Sequence, residues 1–405
     1  MKRLTYVVIG GGAAGFFGAI KCATNNPNDH VIILEKTRQI LAKVRISGGG
    51  RCNVTHACFE PSSLIRYYPR GSKELLGPFS RFQPKDTVQW FEKRGVPIKA
   101  EEDGRMFPVS DSSESIINCL SNEARKVGVE IRLESGVQDI KKIEDRFIIT
   151  LMNGEELVAD RILCTTGSAP KLFPLLESLG HSIIPQVPSL FTFNVPDSPL
   201  LDLAGISVEP VQLKIPHISL EQTGPLLITH WGFSGPAVLK LSAWGAKSLY
   251  DLNYQTSFVV DWFPFFNEEV LRQKCIEHKA MEAKKQISSD CPFPLPKQLW
   301  KKFIQLSGID SEQRWSTLSK QQLKALIILL KTQSFNIQGK TTYKQEFVTC
   351  GGVNLKEINF RTMQSKICPG LFFAGEILNI DGITGGFNFQ NAWTTAWIAG
   401  ESMGA

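Results

Sequence analysis

The chain has 405 residues, of which 42% are hydrophobic and 21% are charged, and its formal net charge is +6. This composition excludes a wholly disordered or fibrous protein, and the length predicts two or three domains. The mild positive charge suits anionic groups such as phosphates but is no nucleic-acid signature by itself. Nine cysteines without a CxxC pair and six histidines without HxxxH or HExxH spacing favour a reduced, intracellular protein without a metal site.

The N-terminal run over residues 4–20 is uncharged and mainly apolar, as in a secretory signal peptide. Three consecutive glycines inside it would damage the helix that such a peptide needs. The run therefore predicts a short buried strand at 4–9 and a glycine turn at 10–15 that leads into a helix over 13–24. No other uncharged run approaches the roughly 20 apolar residues that span a bilayer, so we expect a cytoplasmic protein without a membrane partner.

The glycine turn fits the dinucleotide-binding pattern GxGxxG at Gly10, Gly12 and Gly15. A second apolar run, 31–34, follows the helix and ends at Glu35, 20 residues after Gly15. Together these features predict a βαβ unit in which the helix N-terminus takes the phosphates and Glu35 accepts both ribose hydroxyls. Because Glu35 would repel a 2′-phosphate, the turn favours FAD or NAD over NADP.

Residues 47–53 form a second glycine-rich segment, SGGGRCN. Its glycines suit a backbone that lies flush against a flat or charged ligand, and Arg51 adds a planar fork of donors for phosphate or carbonyl oxygens. Taken alone, the segment is equally compatible with a flexible surface loop. Cys52 and Cys58 match no dithiol spacing, so a redox pair is not expected.

The middle of the chain predicts a helix with Ser112 or Ser113 as its cap, then a strand, a three-stranded meander with an Asn153-Gly154 turn, and a strand that returns to the main sheet. These elements fall at 112–127, 129–133, 137–143, 146–152, 155–158 and 161–165. Proline and β-forming residues then dominate until about residue 264. Helical spacing follows at 268–287 and 320–331.

The C-terminal stretch predicts a short strand at 371–374, a glycine-rich turn with acidic residues, and a helix that extends to about Met403. Two-segment FAD folds use such an arrangement to hold the ribityl chain and the flavin. A simple NAD dehydrogenase does not need this second segment. FAD is therefore the predicted cofactor, and both ends of the chain contribute to its site.

The motifs resemble the bacterial BaiN-like, or aminoacetone-oxidase-like, NAD(P)/FAD-dependent oxidoreductases. The resemblance rests on SGGGRCN at 47–53, THWGFSGPA at 229–237 and FAGEILNIDGITGGFNFQ at 373–390, and it spans nearly the whole chain. The chain departs from the family pattern at 164–167, where Cys-Thr-Thr-Gly replaces the usual Ala-Thr-Gly-Gly, and at Arg45, where an apolar residue is expected.

The predicted fold class is α/β, with a two-segment, glutathione-reductase-like Rossmann domain for FAD at 1–187 and 348–405. A β-barrel-like domain is expected as one insertion, 188–264 with 334–347, and a helical domain as another, 265–333.

The predicted cofactor residues lie in the glycine turn with its acid, the SGGGRCN segment, the altered 164–167 segment and the C-terminal turn. They are Gly10, Gly12, Ala14, Gly15, Glu35, Lys36, Lys43, Ser47, Gly48, Gly49, Arg51, Cys52, Asn53, Val137, Thr166, Gly167, Gly375, Glu376, Asp381, Gly386, Asn388 and Phe389. The N-terminus of the last helix is expected to face the flavin O2 region. His230, in the THWGFSGPA segment, is a candidate proton donor, with a turn histidine that caps backbone groups as the alternative.

The expected function is the exchange of two electrons between FAD and a small organic substrate. NAD(P)H would have to bind transiently as the reductant, because the chain has no second GxGxxG. Members of the BaiN-like family carry out different reactions. The resemblance therefore implies no particular substrate and does not decide between a reductase and an oxidase. Two alternatives remain: a flavin-dependent RNA-modifying protein, although no basic stripe suggests a nucleic-acid partner, and an FAD-binding module without turnover.

Overall fold

A computed structural model describes residues 3–341 and 348–404 of the chain. The chain separates into two compact units, the first made of Met1–Val187 with Lys344–Ala405 and the second of Pro188–Tyr343. Residues 342–347 of the expected β-rich domain lie outside the described residues.

The described residues form helices in both units. In chain order the helices are α1 (Ala13–Asn25), α2 (Ala42–Gly50), α3 (Pro61–Leu64), α4 (Ser72–Arg81), α5 (Pro84–Glu92), α6 (Ser113–Lys126), α7 (Phe173–Ser178), α8 (Pro236–Trp244), α9 (Ala246–Asp251), α10 (Glu268–Met281), α11 (Lys297–Leu306), α12 (Lys320–Thr332) and α13 (Phe387–Ser402).

The described residues also form strands in both units. In chain order they are β1 (Thr5–Ile9), β2 (His30–Leu34), β3 (Thr55–His56), β4 (Ile98–Ala100), β5 (Arg105–Pro108), β6 (Glu130–Arg132), β7 (Val137–Ile143), β8 (Arg146–Leu151), β9 (Glu156–Ala159), β10 (Arg161–Cys164), β11 (Ile183–Pro188), β12 (Thr192–Asn194), β13 (Ser207–Ile215), β14 (Leu220–Thr229), β15 (Gly232–Ser234), β16 (Gln255–Asp261), β17 (Gln333–Gln338), β18 (Lys340–Thr341), β19 (Thr349–Val353), β20 (Ile358–Asn359), β21 (Gln364–Ser365) and β22 (Leu371–Phe373).

The first unit is built on a sheet with the strand order β20-β21-β22-β10-β1-β2-β6. The strands from β22 to β6 run parallel. Tyr6, Val7 and Val8 of β1 are fully buried, as is typical of a central strand in a parallel sheet. Since the carboxyl ends of parallel strands meet at one edge, the segments that follow β22, β10, β1 and β2 become neighbours.

Most elements predicted for this unit are confirmed. The βαβ unit is β1, α1 and β2, and helix α6 begins after Ser112, whose hydroxyl accepts a hydrogen bond from Glu114 N. The meander is the antiparallel sheet β7-β8-β9. Its Asn-Gly turn places Gly154 at a φ of 87°, which explains why the turn predicts the hairpin.

The second unit contains an antiparallel sheet with the order β17-β16-β13-β14-β15-β12-β18. Strands β17 and β18 lie at opposite ends of this order, yet only Gly339 separates them along the chain. Gly339 N donates to Tyr254 O at 2.9 Å, and Gly339 O accepts from Asn194 N at 3.1 Å. The two edges of the sheet therefore meet at this bend, and the sheet curls into the barrel-like form that the sequence predicts.

The helices of the second unit share one hydrophobic core with its sheet, which includes Trp262, Leu271, Trp300 and Leu326. The division of this unit into a β-rich and a helical domain stays a prediction. The helix predicted over 268–287 is too long: α10 ends at Met281. The chain turns after it because Ile287 is buried, with its N–H donating to Gln313 O at 2.9 Å.

Across residues 3–341 and 348–404, every helix is too short or too polar to cross a bilayer.

Candidate functional site

Close backbone packing defines the glycine turn between β1 and α1. Gly10 N donates to Leu34 O at 2.9 Å, which ties the turn to the end of β2. A Cβ on Gly15 would lie 1.9 Å from Gly10 O, so only glycine lets the first turn of α1 rest against the end of β1. The amino end of α1 is thereby held at the carboxyl edge of the parallel strands, where such helices bind phosphate groups.

Glu35 folds back onto this turn. Its Oε2 accepts from Gly11 N at 2.9 Å, while its Oε1 accepts from Thr37 N at 2.9 Å and from Thr37 Oγ1 at 2.8 Å. These bonds hold the carboxylate at the turn. A Cβ on Gly12 would meet no described atom within 4 Å, so a ligand could approach the backbone there.

The loops after β10 and β22 complete this edge of the sheet. Thr165 Oγ1 lies 3.0 Å from both Ile9 O and Gly10 O, which binds the altered 164–167 segment to the glycine turn. Thr166 Oγ1 is buried and has no hydrogen-bond partner among the described residues. A buried hydroxyl without a protein partner costs free energy, so a ligand oxygen or water at this point would compensate for it.

Two contacts join the N-terminal and C-terminal parts of the chain here. A Cβ on Gly375, which follows β22, would lie 3.1 Å from the Ala14 Cβ in the first turn of α1. Lys43 Nζ donates to Glu376 Oε2 at 2.6 Å. The other carboxylate oxygen of Glu376 accepts from Thr349 N at 3.1 Å. The lysine side chain is about half exposed, at 52%, so a ligand phosphate could recruit it.

The SGGGRCN segment is an open backbone loop that begins inside α2. Gly48, Gly49 and Gly50 have φ values of 58°, 67° and 85°, a left-handed run that glycine adopts with the least strain. A Cβ on Gly49 or Gly50 would meet no described atom within 4 Å. Gly49 and Gly50 therefore serve backbone shape and access to the backbone rather than close packing, whereas a Cβ on Gly48 would lie 2.9 Å from Phe107 Cε1.

Arg51 and Cys52 follow the glycines and point to different surroundings. The Arg51 guanidinium lies 4.0 Å from the Phe107 ring centroid and donates to Glu101 Oε1 at 2.6 Å. The Cys52 side chain is fully buried, and burial raises the pKa of its thiol to about 12. The thiol therefore stays protonated near neutral pH, and a protonated thiol is a poor nucleophile for disulfide exchange.

The N-terminus of α13 packs against the end of the SGGGRCN segment. In the orientation that satisfies both polar atoms of its amide, Asn53 donates to Thr55 O and accepts from Gly386 N, each at 3.0 Å. A Cβ on Gly386 would lie 2.5 Å from Thr55 O. Asn388 holds the preceding turn, because it accepts from Gly382 N at 2.8 Å and donates to Gly382 O at 2.9 Å.

Asp381 has a partner that sequence reasoning missed. Its carboxylate is fully buried and accepts from Arg70 Nε at 2.5 Å, with a second bond from Arg70 Nη2. The two residues are 311 positions apart, so no local pattern could connect them. A buried carboxylate needs such a cation, and the pair fixes the C-terminal turn. Direct contact between the Asp381 carboxylate and a cofactor stays a prediction.

The remaining predicted residues fall into three groups. Lys36 is exposed beside Gly136, which precedes Val137, so these residues flank the Glu35 side of the turn. Phe389 stacks on Trp393 with ring centroids 5.7 Å apart, next to the start of α13. His230 belongs to the second unit, where it is exposed on the turn between β14 and β15, and its role as a proton donor stays a prediction.

Three observations indicate that the described residues fit an FAD molecule. Helices α1 and α13 both begin at a glycine without a side-chain cap in the described chain, so their first N–H groups can face a ligand. The backbone is open at Gly12 and Gly49. The Thr166 hydroxyl is buried without a partner among the described residues. The assignment of individual residues to parts of the cofactor stays a prediction.

The fold and these loops define a dinucleotide-binding protein of the two-segment Rossmann class. The family described as HI0933-like protein Rossmann domain matches residues 4–402, and the chain belongs to this family. A similar protein is the 3-dehydro-bile acid delta(4,6)-reductase of Clostridium scindens, which is 30% identical over 98% of both chains. Another is the ribosomal RNA dihydrouridine synthase of Escherichia coli K12, which is 29% identical over 100% of this chain and 98% of that protein.

A solved structure has the same overall fold. The 3-ketosteroid-delta4-(5alpha)-dehydrogenase of Rhodococcus jostii RHA1 matches with a TM-score of 0.51 and 14% identity, covering 100% of this chain and 98% of that chain. The family membership confirms the resemblance to BaiN-like flavoproteins, and the α/β fold class with an additional sheet is confirmed. The chain is an FAD-dependent oxidoreductase.

Proposed function

We propose that this chain uses FAD to reduce a carbon–carbon double bond that is conjugated with a carbonyl group. The net change adds one hydride and one proton across the double bond. A reduced nicotinamide nucleotide supplies the hydride and is oxidised, and the proton comes from water through a protein side chain. This reaction is a specific case of the two-electron exchange between FAD and a small organic substrate that the sequence predicts.

The observation that carries the proposal is the meeting of residues from the two ends of the chain. Ala14 approaches Gly375, and Asn53 binds Gly386. Such a meeting supports one extended ligand with a phosphate-bearing part at α1 and a second part at α13, as an FAD molecule requires. A cofactor bound only at the first glycine turn would not need the second contact.

The names of two relatives favour an alkene as the substrate. A 3-dehydro-bile acid carries a ketone, and a delta(4,6)-reductase acts on double bonds conjugated with it. Formation of dihydrouridine adds two hydrogens to a uracil ring double bond that is conjugated with a carbonyl. Because both relatives match over nearly the full chain, the shared chemistry is a better basis for the proposal than either substrate.

Bound FAD supplies a carrier that accepts the hydride from the donor and passes it to the alkene. The chain binds and orients this carrier. The amino ends of α1 and α13 would offer partial positive charge to its phosphates and to its pyrimidine edge. Glu35 would accept hydrogen bonds from the adenosine ribose hydroxyls, and Lys43 would neutralise phosphate charge. His230 is the candidate group that returns a proton to the substrate carbon.

Small organic carbonyl compounds are the first substrate class in this proposal. Uridine within ribosomal RNA is the second, favoured by the relative from Escherichia coli and by a further one from Haemophilus influenzae with the same name, 29% identical over 98% of both chains. The net charge of +6 is compatible with an RNA partner but does not require one.

The test begins with the visible spectrum of the purified protein, before and after anaerobic addition of NADH or NADPH. We expect a two-band flavin spectrum that one nucleotide bleaches. Air-free addition of 2-cyclohexen-1-one, or of unmodified ribosomal RNA, should then restore the spectrum. Recovery by the enone alone supports a small substrate, and recovery by the RNA alone supports the second class.

Two outcomes would contradict the proposal. A flavin that no nucleotide bleaches would favour an oxidase or a module without turnover. A protein that holds no flavin after incubation with FAD would contradict the cofactor itself. Glu35→Ala is a useful variant, because it should release FAD while the matched variant Glu134→Ala, at an exposed carboxylate paired with Arg38, should retain it.

A further inference from the structure

His56 lies at the N-terminus of α13, although the sequence motifs did not draw attention to it. It is the last residue of β3, directly after Thr55, whose carbonyl oxygen lies against Gly386. Its ring stacks on Phe387, the first residue of α13, with centroids 4.7 Å apart and an interplanar angle of 20°. His56 Cδ2 also lies 3.5 Å from the position that a Cβ on Gly385 would take. The imidazole therefore borders the turn that is predicted to receive the pyrimidine edge of the flavin.

Neighbouring residues leave room for this ring and hold it in place. A Cβ on Gly104 would lie 2.5 Å from His56 Cε1, so glycine is required beside it. The Tyr67 ring is 5.8 Å away on another side. The imidazole is half-buried, which lets it contact a ligand without full exchange with water. Its position is thus set by packing from several elements.

Among the described residues, charged side chains near His56 form ion pairs with one another. Arg105 lies opposite it on β5, and the guanidinium of Arg105 binds Asp103 and Glu101. Asp381, in the turn before α13, is paired with Arg70. Tyr67 is a further titratable side chain whose ring lies near the imidazole. Arg105 and Asp381 are thus held in ion pairs, and a charge on a bound cofactor would act on His56 in addition to these pairs.

We propose that His56 adjusts the reduction potential of the bound flavin by a hydrogen bond and, when protonated, a positive charge at its pyrimidine edge. The inference rests on the proposed function, because it takes FAD to be bound at α13. Charge near this part of a flavin is a known means by which proteins tune its electronics. A cation there stabilises the reduced cofactor, which carries more negative charge than the oxidised one, and the α13 dipole acts in the same direction.

This arrangement links electron uptake to proton uptake. If reduced flavin favours protonated His56, then protonation of His56 must favour reduced flavin by the same factor. The imidazole consequently has a higher pKa when the flavin is reduced than when it is oxidised. Between those two pKa values, each two-electron reduction should take up one proton on His56 in addition to the proton that the flavin takes up itself.

The test measures the midpoint potential of the FAD-loaded protein against indicator dyes, anaerobically, between pH 5.5 and pH 8.5. The wild type should show a range of pH in which one extra proton accompanies two electrons, and His56→Asn should lack it. At the acid end, His56→Asn should favour the oxidised form by about tenfold relative to the wild type, which is about 30 mV for a two-electron couple. His56→Lys should retain the higher potential but not the pH dependence.

His30→Asn is the matched control. His30 begins β2, at the end of the strand opposite to Leu34 and the glycine turn, and binds Glu130 at 2.6 Å. This variant should keep the wild-type potential and proton uptake. The measurement needs no substrate, so it does not depend on the identity of the alkene.

Wild-type potential and proton uptake in His56→Asn would overturn the inference while leaving the proposed reductase intact. If His56→Asn loses its flavin, His56→Gln replaces it. A wild type that takes up no extra proton anywhere in this pH range overturns the inference without any variant. A protein that never binds FAD overturns the proposed function, and this inference falls with it.

Discussion

The two glycine-rich loops of the first unit use glycine for different reasons. At both ends of the turn at Gly10–Gly15, added atoms would collide with the backbone: a Cβ on Gly10 would lie 2.8 Å from Thr165 O, and one on Gly15 would lie 1.9 Å from Gly10 O. In the SGGGRCN loop, a Cβ on Gly49 would meet no described atom within 4 Å, but the residue has a φ of 67°. The first loop is shaped by packing between a helix and a strand, and the second by its backbone conformation.

The difference indicates how each loop would meet a ligand. The first loop is rigid, since α1, β1, β2 and the segment after β10 all touch it. It can therefore hold a phosphate group by preformed N–H groups. The second loop is open on its outer side, so a ligand would complete its surroundings. Substitutions at the packed positions Gly10 and Gly15 should mainly affect folding, and substitutions at Gly49 should affect folding less.

The largest expected effect is that of Gly15→Ala. The new methyl group would displace α1 from β1, and overpacking of this severity should cost roughly 3 kcal/mol or more of the free energy of unfolding. Gly12→Ala is the matched control, because its Cβ has free space among the described residues and its φ of −91° suits any residue. Chemical denaturation of both apoproteins checks the pair. Equal losses in the two variants would refute the packing argument.

The next effect concerns ligand affinity rather than folding. Glu35→Ala removes the predicted acceptor of the ribose hydroxyls, so we expect the Kd for FAD to rise at least about tenfold, or about 1.4 kcal/mol. The apoprotein should unfold near the wild-type temperature. Titration of FAD with protein, followed by flavin fluorescence, measures the affinity. An unchanged Kd would remove Glu35 from the site.

A smaller effect is expected in the SGGGRCN loop. Gly49→Ala should lower the free energy of unfolding by about 1–2 kcal/mol, because alanine is strained in the left-handed region. Gly49→Asn should cost less, since asparagine tolerates this region better than alanine. A Cβ at position 49 would meet no described atom within 4 Å, so a clash at this atom should contribute to neither variant. If both variants lose the same stability, a contact rather than backbone strain is responsible.

The smallest effect is a pH dependence outside both loops. His181 is buried, with its Nδ1 3.0 Å from Glu357 Oε2 and its Nε2 3.0 Å from Ser365 Oγ. Burial lowers the pKa of His181 below its ordinary value of about 6.5. The neutral His181 imidazole should contribute fully to stability above the ordinary pKa of about 6.5. This contribution should diminish as the pH falls from about 6.5 through the lower pKa that His181 has in the folded protein.

Thermal unfolding of the wild type and of His181→Gln, between pH 5 and pH 8, checks this sign. The difference in Tm between the two proteins should be largest at pH 8 and should narrow on acidification. A gap that widens at low pH would show that the folded protein prefers the protonated imidazole. Gly12→Ala should follow the pH dependence of the wild type, since no titratable group changes in that variant.

Local patterns predicted those parts of the site that lie close together along the chain. Strand β1, the glycine turn, α1 and Glu35 span only about 30 residues, and the alternation of strand, glycine and helix is visible within that window. The C-terminal strand, glycine-rich turn and helix predicted FAD as the cofactor, and the resemblance to BaiN-like proteins agreed with that prediction. The β-forming residues predicted the barrel-like sheet, but they did not predict that its two edges meet at Gly339.

Contacts between distant residues could not be predicted in this way. Arg70 and Asp381, Lys43 and Glu376, and His56 and Phe387 are each separated by more than 300 positions. An ion pair or a ring stack requires only that two side chains meet in space, and it leaves no periodic signal in either segment. The role proposed for His56 therefore became visible only once β3 was seen against α13.

The sequence by itself determined the class of fold, the dinucleotide turn and the use of both chain ends, because backbone preferences of glycine and apolar periodicity act over short distances. Only the tertiary structure decided which charges are neutralised and which rings and carboxylates surround the cofactor loops. Those features depend on the order of the parallel strands, which gathers the loops after β22, β10, β1 and β2 at one edge of the sheet. Strand order depends on contacts between residues that are far apart in the sequence, so it is set only when the chain folds.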